Sequence, residues 1–413
     1  MQLKEFSLIS QVIESGSVLK ALESAIPSEA IEQAIGEAEA REERKRALPS
    51  HLVVCLLIAM SLWSKDSMRT VLKNLVDGLT EAWVKVGQYW RVPCKSSITE
   101  ARQRVGPQVM SRLFHQVVRP LGTRQTSGVF LGGLRVMAVD GTVLDVPDTE
   151  ANARVFGYPA TRPGTQAAFP KLRLVLLIEA ETHLITDALM CPYRIGERVR
   201  VKKLLRSVTE GMLLMWDRGL HSYRMVQATV AQKCHYLGRV PKNVKFQVEK
   251  VLEDSSYLSW IAPDGKSKKK GATKIIVRVI EYTIDTDGEP QIYRLITSLT
   301  DIVLFPALLL AIEYHQRWEV ENTIDELKVH LLGRKTPIRS QNPREVVQEV
   351  YGWLLGHWAV RSLMFQVAEH AQISPKLLSF TGSLNVVRRA VPKFQRVEPE
   401  ALPFFDLACN RNS

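Results

Sequence analysis

From about residue 134 to residue 240, apolar runs and amphipathic runs alternate in the order β-β-β-α-β-α-β. No other feature limits the possible folds so strongly. "LRVMAVDGTVLDVP" opens the series, with a strand, a turn expected at Asp140-Gly141 and a strand after it. Residues 171–193 read as strands around a tight turn near Thr182, and 197–211 as a helix with Val199, Leu204 and Val208 on its apolar face. "MLLMW", a helix over 222–234 and "HYLGRV" complete the series. Residues 241–299 turn wholly β, with a DG hairpin. One long helix then opens after Pro306 and ends at Gly333, a glycine C-cap. Strands mixed with helices in this order build a mixed α/β sheet with helices on both faces.

That order is the one found in ribonuclease H-like folds, with a β-rich insertion before the last helix. The boundaries follow: a helical, DNA-binding N-terminal region over 1–125, a core from 126–240 and 300–345, the insertion over 241–299, and a helical C-terminal region over 346–413. In the N-terminal region Ser28 reads as an N-cap, and Ser97 with Glu100 as a capping box opening a short helix. That helix is expected to present Arg102 and Arg104 to solvent. A helix, a turn and a basic helix can read a DNA groove, although an ordinary charged helix in a bundle has the same pattern.

Lys plus Arg outnumber Asp plus Glu by 55 to 43, for a net charge of +12. Such an excess suits a polyanionic partner, most often nucleic acid. The five cysteines lie far apart without a CxxC pair, which argues against structural zinc and for free thiols in a reducing compartment. The longest apolar run, near residues 52–63, is shorter than the ~20 residues a membrane span needs, and no signal peptide is visible. A cytoplasmic protein with no membrane partner is expected.

The chemistry is concentrated in "YHQRWEVENTIDELK", residues 314–328. At about 100° per residue, Tyr314, Arg317, Glu321 and Lys328 fall on one line, with Asp325 close to it. Val320, Ile324, Leu327 and Leu331 make an adjacent apolar stripe, so the quartet sits at the edge of a buried face. An Arg317–Glu321 surface pair is worth only a few tenths of a kcal/mol, and does not account for Tyr314 or Lys328. Asp140 and Asp217 each follow an apolar run, where carboxylates reach the edge of a sheet. One such Asp is ordinary turn chemistry; two with a helix-borne Glu make a site. Three carboxylates are hard ligands for Mg²⁺, with Mn²⁺ able to substitute. Two such ions can clamp both oxygens of a phosphodiester displacement. Arg317, Lys328 and Tyr314 would then face phosphates.

The spacing Y-x2-R-x3-E-x6-K is met in full, and with "VDGT" at 139–142, "WDRGLHSY" at 216–223 and "YLGRV" at 236–240 it resembles the insertion-sequence-four family of bacterial DDE transposases. "RVFGYP" and "AFPKLRLVLLIEAETH" resemble the stretch between the family's two Asp motifs. The resemblance implies that Asp140, Asp217 and Glu321 are catalytic and bind two Mg²⁺ ions. Tyr314, Arg317 and Lys328 would grip the terminal strand, with Arg218 beside them. It also implies cleavage at transposon ends, a DNA hairpin, strand transfer into target DNA, a homodimer on the DNA and a location with the nucleoid. In studied members an aromatic of the β insertion stacks on a flipped base. The matching stretch "YRLITS" makes Tyr293 the candidate, with Trp260 second. Ordinary strand aromatics would look the same. The run "GKSKKKGATK", with Lys269 at its middle, fits a loop on the DNA backbone or a solvated hairpin tip. A DNA-binding derivative that has lost cleavage and a metal-dependent nuclease without strand transfer are the alternatives.

Overall fold

The computed structural model describes residues 22–44, 46–77, 92–159, 165, 167–265, 271–286, 289–333 and 338–390. Lys269 lies outside the described residues. Ten strands form one sheet. They are β1 (Phe130–Leu131), β2 (Leu134–Asp145), β3 (Lys171–Glu179), β4 (Leu184–Pro192), β5 (Met212–Trp216) and β6 (His235–Arg239). Then come β7 (Lys250–Val251), β8 (Tyr257–Ile261), β9 (Ile275–Thr286) and β10 (Glu289–Thr297). The spatial order is β4-β3-β2-β5-β6-β10-β9-β8-β7, with β1 paired to β2. Antiparallel β2–β3–β4 beside parallel β2–β5–β6 is the ribonuclease H-like core. The later strands continue the same sheet, because β10 pairs antiparallel with β6.

Helices cover both faces. On one lie α1 (Ser28–Glu37), α2 (Ser50–Leu62), α3 (Met68–Asp77) and α4 (Lys95–Val117). The C-terminal helices share that core, and α5 (Glu150–Phe156) joins it through Phe156. On the other lie α6 (Glu197–Leu204) and α7 (Tyr223–Ala231). Strand alternation explains the division: Val136 and Ala138 enter the first core, Met137 and Val139 the second. Segment 307–331 comprises α8 (Ala307–His315), α9 (Trp318–Asp325) and a π-helical turn over Glu326–Leu331. After it come α10 (Pro343–Ala371), capped by the Asn342 side chain, and α11 (Phe380–Ala390).

Several local expectations are corrected. Asp140-Gly141 makes no turn: β2 is continuous, and Asp140 and Gly141 pair with Leu176 and Val175. Nine consecutive pairs with β3 outweigh the turn preference of the dipeptide. The helix after Pro306 is broken at Gln316-Arg317 and widens at Glu326. Ser28 is the first residue of α1, whose N-cap is Pro27. The basic helix starts at Lys95 after Cys94, so Ser97 caps nothing, and it runs 23 residues across a kink at Gly106. Arg102 is fully buried, donating to Ser340 Oγ (2.8 Å) and the Glu345 carbonyl (3.1 Å). Arg104 is half-buried on the Leu48 carbonyl (2.7 Å). Neither is placed to read a groove. Val199 is exposed and Val208 lies beyond α6, whose buried face is Val201 and Leu204.

A buried polar network ties segment 307–331 to α10. The Glu326 carboxylate lies 2.9 Å from His183 Nδ1 and 3.2 Å from His357 Nε2, and accepts from Arg361 Nε at 2.8 Å. The other His183 nitrogen lies 2.9 Å from Glu319. These two ring contacts hold His183 at the tight β3–β4 turn with φ of 57°, a conformation unusual without glycine. Burial pushes His357 down to about 3, and Arg361 already balances Glu326, so the ring is neutral. A folded pKa below the unfolded value of ~6.5 means that stability is fully present above that pH and lost as pH falls. At pH 5 this one group should cost about 2 kcal/mol. We expect His357→Gln, which keeps an N–H donor and cannot titrate, to remove that part of the loss. Calorimetry at pH 7 and pH 5 checks it.

Candidate active site

β2 and β5 run parallel as far as the pair Ala138↔Met215 and then part. Two residues further along each strand stand Asp140 and Asp217. The same register brings both carboxylates to the opening between β2 and β5, where the strand order switches direction. Trp216 fixes the end of β5: it is fully buried and stacks on Tyr236 at 5.3 Å. Its indole fills the place a Cβ on Gly238 would take, 2.3 Å from Nε1, which accounts for the glycine in "YLGRV".

α8 and α9 lie over the face toward which Asp140 points, anchored by Leu310, Val320, Leu327 and Leu331. Of the expected stripe, Val320, Leu327 and Leu331 are buried, while Ile324 is only partly so. The break at Gln316-Arg317 turns Arg317 inward. Its Nη1 lies 3.6 Å from Asp140 Oδ2, and its Nη2 donates to Glu321 Oε1 at 3.1 Å. One guanidinium thus bridges the first and third carboxylates. Its buried Nε has no acceptor among the described residues. Lys328, shifted by the π turn, donates to Thr142 Oγ1 at 3.1 Å. Tyr314 is buried, with its hydroxyl on the Trp216 carbonyl at 3.3 Å, and burial pushes it up to about 12. Asp325 points elsewhere, to His330 at 3.2 Å.

Negative charge is concentrated at the opening. Burial lifts the Asp140 carboxyl to about 6, against the Gly141 N–H and Arg317, and the charges of Asp217 and Glu197 add to the rise. Asp217 is half-buried and accepts from the Leu220 N–H at 3.1 Å. Among the described residues no three His, Cys, Asp or Glu side chains are gathered closely enough to hold one ion. Arg317 stands between Asp140 and Glu321 instead. Arg218 is exposed beside Asp217.

Tyr293 lies near this site. It stacks on Tyr282 at 5.5 Å, beneath the Arg239 guanidinium at 3.9 Å, and His315 at the end of α8 completes the cluster at 5.6 Å. Trp260 is on β8, two strands further out, under Lys274 at 3.4 Å. Sequence reasoning missed Arg239, Tyr282, His315 and Glu197. Arg239 and His315 lie inside the quoted stretches "YLGRV" and "YHQRWEVENTIDELK" without being singled out, and Tyr282 carries no motif. Glu197 has a faint one, a carboxylate opening the helix that follows the third core strand.

Comparison with known proteins identifies the family. Residues 17–115 match the family described as insertion element 4 transposase N-terminal, and residues 131–354 the family described as transposase DDE domain. The transposase InsG for insertion sequence element IS4 of Escherichia coli (strain K12) is 26% identical over 402 residues, covering 96% of this chain and 88% of that protein. The putative transposase InsZ of the same strain is 25% identical over 224 residues, 53% of this chain and 71% of that protein. A cryo-EM structure of a piggyBac transposase synaptic complex with hairpin DNA aligns with a TM-score of 0.46 at 11% identity, over 92% of this chain and 81% of that one. That likeness is too loose to carry an argument. No helix among the described residues is long and apolar enough to cross a membrane. With both of its characteristic regions matched, the second spanning more than half the sequence, the chain belongs to the insertion-sequence-four family of DDE transposases.

Proposed function

We propose that this transposase cleaves DNA at the ends of its own insertion sequence and joins the freed ends to target DNA. Asp140, Asp217 and Glu321 would hold its divalent ions. The single observation that carries this reading is the Arg317 bridge: one cation already spans Asp140 and Glu321, next to a desolvated Asp140 and near Asp217. Hard carboxylate oxygens around an opening with more negative than positive charge suit Mg²⁺ or Mn²⁺. When bound, such ions would supply Lewis-acid activation of water and of the scissile phosphate.

The remaining steps belong to the chain's own side chains. Arg317 is free to exchange one carboxylate for a phosphate oxygen, and its unpaired Nε offers a second donor for a planar grip. Lys328 supplies a point charge beside Thr142, and the exposed Arg218 a guanidinium next to Asp217. Tyr314 supports the end of β5 through the Trp216 carbonyl, and its hydroxyl meets DNA only if that bond opens. Tyr293, with Arg239 over its ring, is a better base-stacking candidate than Trp260 because its cluster adjoins Tyr314. A hairpin intermediate and a homodimer on the DNA are what the family resemblance implies. We likewise place the protein in the bacterial cytoplasm, with the nucleoid.

Incubating purified protein with Mg²⁺, labelled DNA bearing the element's end and a target plasmid tests the reading. Nicked, hairpinned and joined products are expected. Nicks without joined product would mean a nuclease, and binding without nicks a derivative that only holds DNA. Lys328→Ala should weaken end binding and lower the slope of log K against log salt by about one. Filter binding between 50 and 200 mM salt reads this. An unchanged slope would remove Lys328 from the phosphate contacts.

A further inference from the structure

Residues 194–224 hold eight Lys or Arg and three Asp or Glu, a far richer excess than the 55 to 43 of the whole chain. Arg206 and Arg224 pair with Asp187 and Asp264, and Glu197 is taken by Arg173. Arg194, Arg198, Lys202 and Lys203 make no ion pair among the described residues. Arg194, Arg198 and Lys203 are exposed and Lys202 half-buried. Arg194 precedes α6, and the other three point away from its buried residues, Val201 and Leu204. Arg198 sits in the first turn, at the positive end of the helix dipole, and one turn from Lys202, a like-charge neighbour. Both placements cost the free helix stability, and a bound polyanion reverses the sign of both.

α6 begins at the catalytic opening. Arg198 Nε donates to the carbonyl of Gly219, two residues after Asp217, at 2.5 Å. The next residue back, Glu197, occupies the place of a Cβ on Gly141, 2.6 Å from its Cδ, beside Asp140. From Arg198 to Lys203 the helix rises about 7.5 Å, which is the axial rise of about two nucleotides of a DNA strand. α6 packs with the second core and α9 with the first, on opposite faces of the sheet.

Joining requires two DNAs in one opening. The terminal 3′ hydroxyl gives up its proton and bonds a target phosphorus. The bond from that phosphorus to the target's own 3′ oxygen breaks, and that oxygen takes up a proton. Attacking and leaving oxygens stand in line, on opposite sides of the phosphorus. An end strand gripped by Arg317 and Lys328 from the α9 side therefore leaves the α6 side for the target.

We propose that Arg194, Arg198, Lys202 and Lys203 form the surface on which the target duplex docks, by its phosphate backbone and without base readout. The proposal rests on the reading of this protein as an enzyme that joins its ends to target DNA.

The full-length protein, assembled on a duplex of the element's end already cut to a free 3′ hydroxyl, is titrated with a labelled duplex lacking the end sequence, between 50 and 200 mM salt. Joined product is counted under Mg²⁺. The triple variant Arg194→Ala, Lys202→Ala, Lys203→Ala should raise the half-saturating target concentration by about tenfold or more, and lower the slope of log K against log salt by about two to three. Its joining rate at saturating target and its binding of end DNA should match the wild type. Arg194→Lys, Lys202→Arg, Lys203→Arg keeps every charge and should behave as the wild type throughout. Wild-type target affinity and slope in the alanine variant overturns the proposal. So does end binding that weakens as much as target binding or more, which would give this surface to the element's own DNA. If the wild type joins nothing from the precut end, the reading of a joining enzyme fails, and the proposal with it.

Discussion

Asp140→Asn should abolish cleavage at the element's ends, by at least about a thousandfold, while leaving the protein as stable as before or more so. A thousandfold is ~4 kcal/mol of transition-state stabilisation, within what one electrostatic group in a closed site supplies. The stability half of the expectation comes from the sign of the Asp140 shift. A carboxyl raised from 3.8 to about 6 is charged at neutral pH against the preference of its surroundings. That arrangement costs the folded state on the order of 2–3 kcal/mol, present above the folded pKa and relieved below it. Neutral Asn removes the penalty and can still accept from the Gly141 N–H. Asp217→Ala and Glu321→Ala should lose cleavage equally, without the gain in melting temperature. All three should bind end DNA as the wild type does. Cleavage assays beside calorimetry and filter binding give the answer, and cleavage retained in any one variant would take that residue out of the centre.

The parts of this site differ in how legible they were. Asp140 and Asp217 could be placed because apolar runs precede them, and strand burial is a periodic signal. Asp140 does not end its strand, however. It reaches the opening because β5 leaves β2 early, which is a property of two strands and not of one. The sheet core was readable for the same reason, since Met137, Val139, Val136 and Ala138 alternate between its two faces. The break at Arg317 was not. Nothing between Ala307 and Leu332 is glycine or proline, so local preference asks for one helix. Tertiary contacts override it, with Arg317 drawn to Asp140 and Glu326 drawn to α10. Arg102 shows the same limit. Its burial depends on Ser340, 238 residues away, which no local pattern reports. Glu197 opens a helix with no motif partner at a fixed spacing, as Glu321 has in Tyr314, Arg317 and Lys328, so nothing local singles it out.

Glu326→Ala should be the most destabilising single change in segment 307–331, costing about 3–5 kcal/mol, because it removes one partner of a buried ion pair. Glu326 is 7% exposed, and its oxygens serve Arg361, His183 and His357 together. Without them a guanidinium and two imidazoles face one another away from water. The melting temperature should fall by several degrees, and cleavage should fall with it, since the network joins the helix bearing Glu321 to α10. Stability and positioning can then be separated. Replacing the pair by apolar groups, as Glu326→Leu with Arg361→Met, should restore most of the melting temperature, as exchanges of buried ion pairs for hydrocarbon often do. Cleavage should stay low, because the π turn that carries Lys328 to Thr142 no longer has its anchor. If the double variant recovers both, the network serves the fold alone. If Glu326→Ala melts like the wild type, these contacts do not hold the helix at all.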